Sequence, residues 1–166
     1  MNISVFLNGN KTIIEARPEE TLMKVLRRMS YTSVKCGCSE GVCGSCTVLL
    51  NDKPVASCKI PVGIINNEDI ETLDHFLATE EYTMIKQGFD LAGIKLCGYC
   101  NAGKIFCAYQ ILKKNKVPDR QEIIEQVKPL APCCTDLSTL VNGIIYATEI
   151  RDKGYAAVAR IAGRRK

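Results

Sequence analysis

Long apolar runs are missing from this sequence. No stretch of 18 or more consecutive apolar residues occurs in its 166 residues, so we expect no membrane span. The N-terminus, MNISVFLNGN, has no basic region followed by an apolar stretch, so we also expect no secretory signal and a cytoplasmic protein. Because the cytoplasm is reducing, cysteines there remain thiols and disulfides are rare.

Runs of lysine and arginine interleaved with aromatic residues are missing as well. The net charge is only +4, and part of it lies in the C-terminal tail, RIAGRRK. A nucleic-acid-binding domain usually has a basic stripe or patch, so we expect no nucleic-acid partner and a tail that is solvated or docked on another protein. The chain has no internal repeat or low-complexity linker, and its length fits one medium domain or two small ones.

Cysteine, in contrast, is abundant. The chain has ten cysteines, and they fall into three clusters. In a reducing compartment, metal binding is the leading explanation for such clusters. A buried cysteine can also act as a small hydrophobic residue, which explains two or three of the ten but not their clustering.

The N-terminal part has the pattern of a small β-grasp domain. Residues 3–9 alternate apolar and polar side chains and end in Asn8-Gly9, a strong hairpin signal, and residues 12–16 supply the returning strand. Residues 19–29 have the apolar spacing of an amphipathic helix. The segments CTVLL, VASCKI and DIETL indicate three further strands. We therefore predict an α+β chain whose first domain, a β-grasp, covers residues 1–75.

The C-terminal part, residues 76–166, has the pattern of a helical domain. Apolar residues recur with helical spacing in four segments, residues 78–93, 101–115, 120–130 and 135–154. Pro118-Asp119 with Glu122 makes a capping-box-like start for the third. Four such helices would form a small bundle, so we predict a four-helix-bundle domain after the β-grasp.

Four cysteines of the first domain have the spacing C-x4-C-x2-C-x11-C, namely Cys38, Cys43, Cys46 and Cys58. This is the plant-type [2Fe–2S] spacing. Two irons bridged by two sulfides need four thiolates, three of which one loop can supply while a separate strand supplies the fourth. Zinc is the weaker alternative, because structural zinc sites use paired short-spaced ligands and only Cys43 and Cys46 have that spacing. Cys36 is then an extra thiol beside the site.

A second set of cysteines lies in the helical domain. Cys97 and Cys100 form a CxxC motif at the start of one helix, and Cys133 and Cys134 precede another. A CxxC motif alone is weak evidence, since redox motifs and zinc sites share it. Two pairs that open two helices of one bundle are more informative, because they place their thiols together at one end of it.

The order of these motifs resembles that of a known family. VKCGCSEGVCGSCTV, VASC, LCGYCNAGKI, PDRQEI and CCTDL are similar to motifs of the small iron–sulfur subunit of the xanthine dehydrogenase family of molybdenum hydroxylases, over residues 3–150. The resemblance implies a plant-type ferredoxin-like domain and a helical domain, each with one [2Fe–2S] cluster.

The resemblance also implies the ligands. For the first cluster they are Cys38, Cys43, Cys46 and Cys58. For the second they are Cys97, Cys100 and Cys134, with a fourth that is open because the family's C-R-C motif is replaced here by Pro132-Cys133-Cys134. Cys133 is favoured for that place, and Cys107, two helical turns after Cys100, is the alternative.

The function implied is that of the iron–sulfur subunit of a multi-subunit oxidoreductase. A large subunit would hold the molybdopterin centre and the substrate, and electrons would pass through the two clusters to FAD in a medium subunit or to another acceptor. The alternative is a free-standing ferredoxin-type carrier or redox sensor. Such carriers tend to be acidic, which steers them to basic partners, whereas this chain is slightly basic. Lys35, Lys104 and His75 show no pattern that assigns them a role.

Overall fold

The computed structural model describes residues 1–114, 116–130 and 134–164, with a sheet in the N-terminal part and helices in the C-terminal part. The strands are β1 (Asn2–Leu7), β2 (Asn10–Glu15), β3 (Thr47–Leu50), β4 (Lys53–Ala56) and β5 (Asp69–Glu71). The helices are α1 (Leu22–Arg28), α2 (Leu73–Phe76), α3 (Glu80–Leu91), α4 (Asn101–Lys113), α5 (Arg120–Val127), α6 (Leu137–Lys153) and α7 (Tyr155–Arg164).

The five strands form one mixed sheet in the order β2-β1-β5-β3-β4. Both hairpins are antiparallel, β1 pairs with β5 in parallel, and β3 pairs with β5 in the antiparallel sense. Helix α1 packs its apolar stripe into the core of this domain, since Leu22, Val25 and Leu26 have no exposed surface. The α+β architecture predicted from the sequence, with a β-grasp followed by helices, is therefore confirmed.

One predicted strand ends early. We predicted a strand over VASCKI, but β4 ends at Ala56 and Cys58 lies in a 3₁₀ turn, Ser57–Lys59. The Ser57 hydroxyl donates a hydrogen bond to the carbonyl oxygen of Cys46 at 2.6 Å, and the Ser57 backbone N–H donates to the same oxygen at 3.3 Å. The backbone bond continues the β3–β4 register by one residue. The chain then turns at Ser57–Lys59, where the Ile60 N–H donates to the Ser57 carbonyl oxygen at 3.4 Å.

Among the residues that the structure describes, the helical part contains the four predicted helices, α3 to α6, and two more. Helix α2 is a single turn, and α7 includes residues 160–164 of the tail that we expected to be solvated or docked on another protein. Val158 and Ala162, four residues apart, are the buried positions of α7, whereas Arg160 and Arg164 are exposed. No helix in the described ranges is both long and apolar enough to cross a membrane.

Helices α3 and α6 pack closely because a glycine lies at their contact. A Cβ atom at Gly88 would lie 2.5 Å from the backbone nitrogen of Ala147 and 2.6 Å from the carbonyl oxygen of Gly143. Both are backbone atoms of a regular helix, so they cannot rotate away. A larger residue at this position must therefore push the two helices apart.

We expect Gly88→Ala to lower the stability of the helical part by about 1–3 kcal/mol, the usual cost of overpacking, although alanine favours a helix over glycine. Thermal unfolding followed by circular dichroism measures the effect as a lower midpoint. Gly163→Ala in α7 is the matched control, because nothing lies within 4 Å of its Cβ position. Equal midpoints for the Gly88 variant and the unaltered chain would contradict this close packing.

The buried apolar side chains form two clusters. One lies within residues 3–70 and includes the inner face of α1. The other lies within residues 73–147 and also includes Leu49 of β3. The β3–β4 hairpin therefore contributes to both clusters, and the sheet and the helices share an apolar interface.

A polar contact reinforces this interface at the β3–β4 turn. Tyr109 on α4 donates a hydrogen bond to the Asp52 carboxylate at 2.8 Å, and Lys113, one turn further along α4, forms an ion pair with it. Burial opposes ionisation of Asp52, but the hydrogen bonds from Lys113 and Tyr109 outweigh it and hold its pKa below the ordinary value. Because the carboxyl is half exposed, solvent screening keeps the contribution of this pair to stability small.

Candidate metal centres

The structure brings the first four candidate ligands together. Cys38, Cys43 and Cys46 lie in the loop between α1 and β3, and Cys58 lies in the turn after β4. Their thiols interact mainly in two pairs, Cys38 with Cys43 and Cys46 with Cys58, with a weaker interaction between Cys38 and Cys58. Two pairs of thiols suit a [2Fe–2S] cluster, in which four cysteines serve two irons.

Backbone N–H groups of the loop donate to these sulfurs. The N–H groups of Glu40 and Cys43 lie 3.3 and 3.4 Å from the Cys38 sulfur. These hydrogen bonds, led by that of Glu40, lower the pKa of Cys38 to about 6. Burial raises the pKa of Cys58 to about 11. Metals bind the thiolate, so Cys38 is prepared for ligation, whereas Cys58 must lose its proton as a metal binds.

Small residues set the space around the first site. A Cβ atom at Gly37 would lie 2.5 Å from the Cys43 sulfur, so glycine is needed for this approach. The Ser45 side chain is fully buried, and its hydroxyl has no hydrogen-bond partner among the described residues. A buried hydroxyl without a partner is destabilising, and the sulfur atoms of a bound cluster would be acceptors for it. The residues of the first site therefore fit a [2Fe–2S] cluster.

The candidate ligands of the second site lie just before two helices, α4 and α6. Cys100 immediately precedes α4 and is buried, whereas Cys97 is exposed. Cys134 precedes α6, is partly buried, and lines a pocket with Ile94 and Lys95, which lead to Cys97. Helix N-termini carry partial positive charge, which favours thiolates there. Cysteine thiolates are the ligands of iron–sulfur clusters, so the donor types of this site also fit such a cluster.

Cys133 and Cys107 are the two alternatives for the fourth ligand of the second site. Cys133 lies outside the residues that the structure describes. Cys107 lies about 10 Å further along α4 than Cys100, given the rise of an α-helix, and its thiol donates to the carbonyl oxygen of Gln126 at 3.7 Å. Burial raises the pKa of Cys107 to about 11. These are the properties of a helix thiol packed against α5. Within the described part of the chain, no three His, Cys, Asp or Glu side chains are placed to share one metal ion.

Two lysines to which the sequence assigned no role contact the second site. The Lys35 ammonium donates to the carbonyl oxygen of Gly98, which lies between Cys97 and Cys100, and the Lys35 backbone N–H donates to the Ser45 carbonyl at 3.0 Å. Lys35 therefore joins the two cysteine loops. The contact spans 63 residues along the chain, so no local pattern could have revealed it.

The second lysine is Lys104, whose ammonium lies 2.8 Å from the Cys100 sulfur. It is buried, with 2% of its surface exposed. The two residues are four apart on one helix, where side chains are neighbours. This spacing is the signal in the sequence that could have identified the contact.

The two sites touch through the backbone. The Gly103 N–H donates to the carbonyl oxygen of Gly44 at 3.0 Å, which satisfies one of the donors that the first turn of a helix leaves without an intrahelical partner. A Cβ atom at Gly103 would lie 2.9 Å from the Gly44 Cα. Gly44 follows Cys43, and Gly103 lies three residues after Cys100, so this contact is a short link between the sites.

Sequence comparisons identify both parts of the chain. Residues 5–74 match the family model described as a 2Fe-2S iron-sulfur cluster binding domain, and residues 70–145 match the one described as a [2Fe-2S] binding domain. The chain is 35% identical over 150 residues to the nicotinate dehydrogenase small FeS subunit of Eubacterium barkeri. That match covers 90% of this chain and 96% of the relative.

Two solved structures are similar over nearly the whole chain. One is quinoline 2-oxidoreductase from Pseudomonas putida 86, with a TM-score of 0.80, 31% identity and coverage of 97% of this chain and 96% of that one. The other is aldehyde oxidoreductase from Desulfovibrio desulfuricans, with a TM-score of 0.80 and 29% identity, where the match covers 92% of this chain but 17% of that chain. The same fold therefore occurs both as a chain of this length and as one part of a much longer chain.

Proposed function

This chain belongs to the family of small [2Fe–2S] subunits of the molybdenum hydroxylases, in which it serves electron transfer through two clusters, and we propose which of its cysteines bind them and which centres they connect. The observation that carries the proposal is the backbone hydrogen bond between Gly103 and Gly44, which joins two cysteine sites, each on its own structural unit.

The first cluster lies in a ferredoxin-like domain, residues 1–75, and the second in a helical domain, residues 76–166. The ligands of the first are Cys38, Cys43, Cys46 and Cys58. The ligands of the second are Cys97, Cys100, Cys133 and Cys134. The paired thiols and the N–H donors support the first set. The positions of Cys97 and Cys100 before α4 and of Cys134 before α6 support three members of the second.

Each cluster, when bound, would carry one electron at a time. The chain itself holds the two sites at a fixed separation. Gly103 donates to Gly44, Lys35 donates to Gly98, and Asp52 accepts from α4. These contacts lie near both ends of α4, so that helix cannot pivot on the sheet without breaking some of them. Rigid separation suits electron transfer, because no group has to move when an electron passes.

The related proteins are small subunits or parts of larger oxidoreductases, so larger partners are implied for this chain. We assign a molybdopterin centre and the substrate site to a large subunit next to the helical domain, and FAD to a medium subunit next to the ferredoxin-like domain. Electrons enter at the second cluster and leave at the first. Because the proposed function needs cysteines as thiolates, the reducing cytoplasm is the proposed location.

Iron analysis tests the ligand set. Two [2Fe–2S] clusters contain about four irons per chain, and we expect Cys133→Ser to lose about half of this iron. Cys107→Ser should keep all of it, because the Cys107 thiol already donates to Gln126. The reverse result would make Cys107 the ligand, and a colourless protein with zinc in place of iron would overturn the function. Purification with both clusters but without a larger subunit would favour a free-standing carrier.

A further inference from the structure

Lys104 is a charged residue in an apolar place. It lies within five consecutive buried residues of α4, from Ala102 to Phe106, and only 2% of its surface is exposed. A cavity of about 120 Å³ adjoins it. The other lining residues are Val127, Lys128, Leu130, Thr135, Leu137 and Leu140. Four of these six residues are apolar, so this side of Lys104 is mostly hydrocarbon.

A buried ammonium is destabilising unless a negative group faces it. Methionine has a similar length and would fill the same space without that cost. The ammonium lies 2.8 Å from the sulfur of Cys100, which becomes a thiolate when it binds metal. The arrangement is therefore favourable for a loaded site, in which the cation and the ligand sulfur compensate each other.

The burial of Lys104 also strengthens the electrostatic interaction between its ammonium and the Cys100 sulfur. Electrostatic interactions weaken in water and strengthen in an apolar interior. Since the ammonium contacts the ligand atom directly and is shielded from solvent, little of its effect is lost to screening. Hydrogen bonds to ligand sulfurs are a recognised determinant of the potentials of iron–sulfur sites.

We propose that Lys104 raises the reduction potential of the second site through its charged hydrogen bond to Cys100, an inference that rests on the proposed ligand role of Cys100. One-electron reduction adds one negative charge to the site, and a cation in contact with a ligand sulfur stabilises that reduced form more than the oxidised one. The second site then accepts an electron from the partner's centre more readily than the same site with a neutral residue at position 104.

A redox titration of the assembled complex tests this role, with the second site followed by electron paramagnetic resonance. We expect Lys104→Met to lower the ratio of reduced to oxidised sites at a fixed potential by at least tenfold, which corresponds to about 59 mV for a one-electron couple. Lys104→Gln keeps a hydrogen-bond donor without the charge and should give a smaller shift in the same direction. Lys104→Arg keeps the charge and should stay closest to the unaltered chain.

Lys128→Met is the matched control. Lys128 lines the same cavity but is exposed, so removing its screened charge should leave the potential nearly unchanged. The potential of the first site should not change in any of these variants.

Unchanged potentials in both Lys104→Met and Lys104→Gln would overturn the inference, as would equal shifts in Lys104→Met and Lys128→Met. If both neutral variants lose the signal while Lys104→Arg keeps it, Lys104 serves assembly of the site and the tuning role is wrong. Absence of a second iron–sulfur signal in the unaltered complex would instead overturn the proposed function.

Discussion

A Cys43→Ser variant is expected to abolish turnover with the natural electron acceptor while the partners stay bound. Cys43 pairs with Cys38 and immediately precedes Gly44, so it belongs both to the first site and to the link between the sites. A serine hydroxyl binds soft iron–sulfur centres poorly. Loss of a group that only supports a metal ligand costs about 10–100-fold in activity, and loss of a ligand should exceed that range.

Two measurements distinguish the entry of electrons at the second site from their exit at the first site. Steady-state turnover of the assembled complex with the natural acceptor should fall to background. Reduction of the second site by substrate should continue, because that site precedes the lost one on the proposed path. Cys36→Ser is the matched control, since Cys36 is exposed, lies in the same loop and is outside the two pairs of thiols, and it should keep normal turnover. Full activity of the Cys43 variant would mean that electrons bypass the first site.

The sequence predicts the parts of this fold that local patterns determine. Asn8-Gly9 between two alternating segments is enough to predict the first hairpin, and the spacing of Cys38, Cys43, Cys46 and Cys58 is enough to predict a common site. The end of β4 could not be predicted, because the apolar residues of VASCKI suit a strand equally well and the turn at Ser57–Lys59 shows only in the hydrogen bond from Ile60 to Ser57. Helix α7 is not among the predicted helices, although Val158, Ile161 and Ala162 have helical spacing, because the basic residues around them were interpreted as a tail.

The contacts between the sheet and the helical part could not be predicted either. Lys35 reaches Gly98 across 63 residues, and Tyr109 reaches Asp52 across 57. Such pairs depend on how the helices dock on the sheet, which no short segment encodes. Gly103 is a similar case, since its sequence context suggests only a helix start. Position 103 requires glycine because a side chain there would clash with Gly44, which lies in the loop of the first site.

We expect Gly103→Ala to disturb electron passage between the sites without removing either one. The added Cβ would lie 2.9 Å from the Gly44 Cα, closer than real Cβ atoms approach other heavy atoms. Because both positions are backbone, the first turn of α4 and the cysteine loop must move apart, and the hydrogen bond from Gly103 to Gly44 lengthens or breaks. Overpacking of this kind costs about 1–3 kcal/mol of stability.

The two-site arrangement allows this prediction to be measured directly. In stopped-flow reduction by substrate, the second site should be reduced at the normal rate, while reduction of the first site should lag behind it. Iron content should stay unchanged, because no ligand is altered. Gly163→Ala, the same substitution in a helix with open space around it, should show no lag. If Gly103→Ala transfers electrons at the normal rate although its stability has fallen, the glycine contact serves packing alone and the electrons cross between the sites elsewhere.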